Sequence, residues 1–113
     1  MSDLSAEDQK LVTLARATRA RTDAAEGAAV RDSDGRTYAA ATVALPSLQV
    51  SALGVCVAMA VSSGSRGLEA AVLLTDKDQV SPLDLDVLRD FAGPGVTVHV
   101  GDPSGAVSGT STT

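Results

Sequence analysis

The chain has no tryptophan, one phenylalanine and one tyrosine among its 113 residues, so no aromatic cluster can organise its interior. A core must be built from alanine, valine and leucine packed closely, with each contact contributing little. Hydrophobic residues make up 44% of the sequence, which is ample for one core, and the length suits one domain. A single cysteine, Cys56, permits no internal disulfide. No N-terminal run joins basic residues to an apolar signal core, and the two absences together predict a cytoplasmic protein. The only histidine is His99. With no cysteine near it in sequence, it is expected to be a solvent-facing or hydrogen-bonded ring and not a metal ligand.

Basic residues are also scarce: 9 Lys and Arg stand against 14 Asp and Glu, a formal net charge of −5. Nucleic-acid affinity rests largely on cationic contacts to phosphate, so no nucleic-acid partner is expected. Arg16, Arg19 and Arg21 cluster near the end of the first predicted helix, where cations favour the negative end of the helix dipole. From Thr37 to Ser65 there is no charged residue at all. Even so, Pro46, Ser47, Gln49, Ser51, Gly54, Ser62 and Ser63 interrupt this stretch, short of the roughly 20 apolar residues that span a bilayer. No membrane partner is expected.

Ser5-Ala6-Glu7-Asp8 is a helix start, and Leu11, Leu14, Ala15 and Thr18 recur on one side, predicting a first helix over residues 5–21. Residues 26–31 and 37–44 flank Asp32-Ser33-Asp34-Gly35, a turn sequence that predicts a hairpin. Pro46 suits a first helical turn, so a second helix is predicted over residues 46–62, apolar around its whole circumference and therefore buried on several sides. Residues 70–75 form an apolar run of strand length, Ser81-Pro82 opens a helix through Leu85, Leu88 and Phe91, and residues 96–100 form a last strand. From Gly101 onward there is little to bury, which predicts a domain over residues 1–101 and a disordered tail over 102–113. The order α-β-β-α-β-α-β implies an α/β fold of three α-β-α layers with a mixed sheet.

Gly27-Ala28-Ala29-Val30 followed by Asp34-Gly35-Arg36-Thr37-Tyr38, then Ala60-Val61-Ser62-Ser63-Gly64 and Val80-Ser81-Pro82, resemble in order and spacing the segments of the small zinc-dependent cytidine deaminases. The resemblance extends over residues 5–100 and implies their three-layer fold. It also implies a zinc ion held by a Cys or His, with a Glu two residues later, and by two cysteines in a Pro-Cys-x-x-Cys segment. The metal supplies hydroxide near neutral pH and the Glu shuttles protons. Counting back from Gly64, Ser51 falls on the first ligand position and Leu53 on the Glu; Leu83 and Asp86 fall on the two cysteines. The family's Asn and Glu that grip the ribose fall on Thr42 and Ala44, and an aromatic that stacks on the base falls on Ala24.

The remaining groups have simple structural accounts. Cys56 is expected to behave as a small buried hydrophobe. Asp84 and Asp86 could serve as an acid and base pair, but the first turn of a helix also favours negative charge. Asp32 and Asp34 fit turn chemistry. The sequence therefore predicts a cytidine deaminase-like protein without catalytic residues, metal or cofactor. Its expected role is that of an oligomeric interaction or scaffold module, a homo-oligomer (dimer or tetramer) with a possible unidentified protein partner. The alternative is a binder of a nucleoside or nucleotide without turnover.

Overall fold

The computed structural model describes residues 4–113; residues 1–3, counted in the domain on sequence, lie outside the described residues. Helix α1, Ala6–Thr22, begins where the Ser5 hydroxyl accepts a hydrogen bond from the Asp8 amide and carries Glu7 and Asp8 in its first turn. It ends at Asp23, whose backbone is left-handed at φ 52°. Arg19 and Arg21 lie in its last turn, and Arg19 Nε donates to the Ala24 carbonyl at 3.0 Å. Strands β1, Gly27–Asp32, and β2, Thr37–Ala41, form the hairpin. Its turn is tied by Asp32 Oδ1, which accepts from the amides of Asp34 and Arg36, both at 2.9 Å. Ser65 and Tyr38 donate to Oδ2 of the same carboxylate, and these bonds, Ser65 first, hold it below its ordinary value despite burial.

The second helix differs from the sequence expectation. Residues 46 and 47 form the turn of a small separate hairpin, β3 (Val43–Leu45) with β4 (Leu48–Val50), and α2 covers only Ala52–Ser62. Proline is as well suited to a turn as to a helix's first residue. Here the Ser51 hydroxyl, accepting from the Gly54 amide at 3.0 Å, sets the helix start at Ala52, six residues later than expected. Strand β5, Leu68–Leu74, helix α3, Pro82–Ala92, and strand β6, Thr97–Gly101, follow.

The five-stranded sheet has the order β2-β1-β5-β6-β7, with β5 and β6 parallel and the other pairs antiparallel. Alternation along the strands divides the core. Ala29, Ala70, Val72 and Leu74 meet Leu11, Val12 and Ala15 of α1 on one face. Ala28, Val30, Ala71, Leu73, Val98 and Val100 meet Leu53, Cys56 and Leu88 of α2 and α3 on the other. The result is an α-β-α sandwich around a mixed sheet. Among the described residues no helix is long and apolar enough to cross a membrane.

The disordered tail expected over residues 102–113 is corrected. Asp102 Oδ1 accepts from the amides of Ser104 and Ala106, turning the chain into β7, Val107–Thr112, which pairs antiparallel with β6. Thr113 is buried: its amide donates to the Val96 carbonyl at 3.0 Å and its hydroxyl donates to the Gly93 carbonyl at 2.7 Å. Low hydrophobicity misleads here because an edge strand is held by backbone hydrogen bonds and can expose most of its side chains. Deleting residues 106–113 is expected to lower stability by roughly 2 kcal/mol or more, at about 0.5–1.5 kcal/mol per lost hydrogen bond. A urea midpoint equal to that of the full chain would show that β7 contributes nothing to the fold.

Candidate functional site

The three layers leave a cleft beyond the carboxyl end of β5, where ligands commonly bind in α/β sheets. Antiparallel pairing of Gly27 with Leu74 brings Glu26, just before β1, beside Thr75, just after β5. The Thr75 hydroxyl, on a residue 1% exposed, donates to Glu26 Oε2 at 2.7 Å. It also accepts from the Lys77 amide at 3.2 Å. The Glu26 backbone is pinned independently: its amide donates to the Thr42 hydroxyl at 3.0 Å, and its carbonyl accepts from the Thr42 amide at 3.1 Å.

The facing wall is built by two capped helix starts. Ser51 caps α2, and Ser81 caps α3 by accepting from the Asp84 amide at 3.2 Å. The Ser51 hydroxyl donates to Asp84 Oδ1 at 2.7 Å, which ties the two helices together. Asp84 is 7% exposed and lies in the first turn of α3, against the N-cap of α2. Glu26, Ser51, Leu73, Ser81, Leu83 and Asp84 enclose about 200 Å³, with Lys77 and Gln79 at one side. Each carboxylate thus has one oxygen held by a hydroxyl. Glu26 Oε1 and Asp84 Oδ2 make no hydrogen bond within the described residues.

The positions singled out by sequence are only partly assembled here. Ser51 and Leu83 line the cleft, with Leu83 71% exposed at its mouth. Leu53, in the first turn of α2, is fully buried in the core. Asp86 is exposed and pairs with Arg89 at 3.2 Å. Ala24 and Ala44 lie away from the lining, while Thr42 acts from behind it, through the backbone of Glu26. Cys56 is buried, its thiol pushed up to about 12 by burial, and it donates to the Tyr38 carbonyl at 3.7 Å. His99 is buried on the opposite face of the sheet against Asp8. Sequence reasoning missed Glu26 as a site residue, and for Asp84 it weighed an acid and base role with Asp86 but preferred a helix-dipole account. The available signals were a charged residue at the entry to an apolar strand and a threonine at the exit of another.

A zinc ion would require three or four Cys, His or carboxylate ligands in tetrahedral array. Positions 51, 83 and 86 offer a hydroxyl, an alkyl side chain and a solvent-exposed carboxylate already paired with Arg89. Among the described residues no group of three or more His, Cys, Asp or Glu is placed to hold a metal ion. This donor set does not fit zinc.

A sequence profile described as cytidine deaminase-like matches residues 4–105. The chain belongs to the cytidine deaminase-like family. Its structure is similar to that of the cytidine deaminase from Burkholderia pseudomallei, with a TM-score of 0.80 at 18% identity, covering 99% of this chain and 93% of that one. It is also similar to the cytidine deaminase from Mycobacterium leprae, with a TM-score of 0.75 at 20% identity over 96% and 94% of the two chains. For the enzyme from Mycobacterium tuberculosis the values are 0.71, 20%, 83% and 85%. Comparison with curated proteins finds no match.

These findings overturn the expectation of a non-enzymatic scaffold, and with it the alternative of a binder without turnover. The family profile covers nearly the whole chain, and its solved structural neighbours are cytidine deaminases. The expectation rested mainly on residues counted from the family's motifs. Carboxylates delivered to the same cleft from other positions, as Glu26 and Asp84 are, escape such a count, and missing ligands at 51, 83 and 86 are no argument against catalysis.

Leu53, two residues after Ser51, is fully buried and belongs to the main core, not to the cleft lining. Leu53→Glu is expected to cost roughly 3 kcal/mol or more, or to prevent folding, because an unpaired carboxylate is forced into an apolar interior. Urea denaturation beside the unaltered protein makes the measurement, and a nearly unchanged midpoint would mean that the side chain at position 53 can reach water.

Proposed function

We propose that this chain is a hydrolytic deaminase acting on an amine-bearing pyrimidine nucleoside at the cleft between the starts of α2 and α3. The observation that carries the reading is Asp84, a buried carboxylate positioned by Ser51 inside a cleft of a cytidine deaminase-like fold. In the reaction, water adds to the ring carbon bearing the amine, the carbon–nitrogen bond breaks, and ammonia leaves as the carbonyl forms. Cytidine and water become uridine and ammonia. One group must take a proton from water and return it to the departing nitrogen. Asp84 Oδ2 is assigned that role, with Ser51 holding the carboxylate by its other oxygen and keeping its plane fixed.

The cleft volume of about 200 Å³ lies below the roughly 300–1,000 Å³ of sites that enclose drug-sized ligands. It accommodates a heteroaromatic ring, leaving the sugar at the mouth beside Leu83. Purified protein is expected to release ammonia from cytidine or deoxycytidine, and Asp84→Asn to lower kcat by at least about 10²-fold, the lower end of the range for a lost proton-transfer group. Wild-type protein that releases no ammonia from any pyrimidine nucleoside, while melting cooperatively, would overturn the reading.

We also propose that the protein works in the cytoplasm as a homo-oligomer, a dimer or tetramer. Support comes from the large exposed apolar side chains Leu45 and Leu48 on the small hairpin and Val61 on α2. Sedimentation at micromolar concentrations is expected to give a multiple of the chain mass of 11.3 kDa; a monomer throughout would remove the proposal.

A further inference from the structure

We infer that Glu26 is the residue that recognises the exocyclic amine of the substrate, and that Thr75 is its positioning residue. This rests on reading the cleft as the deaminating site.

Glu26 is separated from Asp84 by most of the fold in sequence, yet both line one cavity. Its side chain is not a freely rotating surface carboxylate. Thr75, 1% exposed, donates to Oε2 at 2.7 Å, and Thr42 fixes the backbone through both the amide and the carbonyl. A long side chain restrained at both ends loses little further freedom when a ligand arrives. The remaining oxygen, Oε1, has no hydrogen-bond partner within the described residues.

An ionised carboxylate only accepts hydrogen bonds. It matches the amine edge of cytosine, which presents a donor, and opposes the same edge of uracil, which presents a carbonyl oxygen. Glu26 would therefore favour substrate over product: the reaction converts the group it binds into one it repels, which promotes release. A site whose polar group is left unpaired or opposed discriminates strongly between such analogues.

Calorimetric titration of cytidine and of uridine into wild-type protein, Glu26→Gln, Thr75→Val and Thr75→Ser tests the assignment, with the melting temperature of each variant recorded alongside. Wild-type protein is expected to bind cytidine at least about tenfold more tightly than uridine, which corresponds to about 1.4 kcal/mol. Glu26→Gln is expected to abolish the preference, because an amide can turn to offer either a donor or an acceptor. Thr75→Val, which keeps the shape but removes the donor, should weaken the preference, and Thr75→Ser should restore it. A purely structural threonine would show no such rescue in the cytidine-to-uridine ratio.

If wild-type protein discriminates and Glu26→Gln discriminates equally, the role of Glu26 is wrong while the reading of the cleft stands. If wild-type protein binds both nucleosides equally, the recognition role is likewise overturned. If wild-type protein binds neither nucleoside, the cleft reading itself fails and takes this inference with it. Should Glu26→Gln not fold, the Thr75 pair decides: equal ratios in wild type, Thr75→Val and Thr75→Ser would overturn the inference.

Discussion

Close approach of the helices to both faces of the sheet is the constraint on which the rest of the structure depends. The middle of β1 and β5 is made of Ala28, Ala29, Val30, Ala70, Ala71 and Val72, all buried. Small side chains let α1 settle on one face and α2 with α3 on the other, so that a chain almost without aromatics still closes a continuous interior. Gly27 marks the tightest point, since a Cβ there would collide with the Ala15 carbonyl and the Arg19 Cβ. That contact fixes where β1 begins, and Glu26 stands one residue before it.

The two faces of the sheet use polar groups in different ways. On the α1 face, Arg31 of β1 donates to Asp8 at 2.9 Å and to Glu69 at 2.7 Å, while His99 of β6 lies 2.9 Å from the other oxygen of Asp8. Burial opposes ionisation of Asp8, but the hydrogen bonds from His99 and Arg31 outweigh it and hold the carboxyl below its ordinary value. These contacts tie the start of α1 to β1 and β6, and Arg31 extends the network to Glu69 on β5. On the α2 and α3 side the carboxylates are held by hydroxyls instead, Asp84 by Ser51 and Glu26 by Thr75. A neutral donor orients a carboxylate without neutralising it, which leaves negative charge available to a ligand.

The fold class was legible from the sequence because it rests on local signals. The caps at Ser5 and Ser81, the Asp-Gly turn and the apolar run of β5 each act within a few residues. Signals with two local meanings were harder to read. Pro46 is compatible with a helix start and with a turn, and the cap at Ser51 decided between them. The strand at residues 107–112 has too few apolar side chains to announce itself, and exists because β6 offers it a row of backbone partners.

The sequence by itself determined the caps, the hairpin turn, the apolar faces and membership of a three-layer α/β architecture, since short-range geometry and periodicity suffice for those. Only the tertiary structure decided what occupies the cleft. Ser51 reaches Asp84 across 33 positions and Thr75 reaches Glu26 across 49, and no periodicity within one segment encodes either pairing. They follow from the register of β1 against β5 and from the convergence of two helix starts, and both are settled only when the helices close on the sheet.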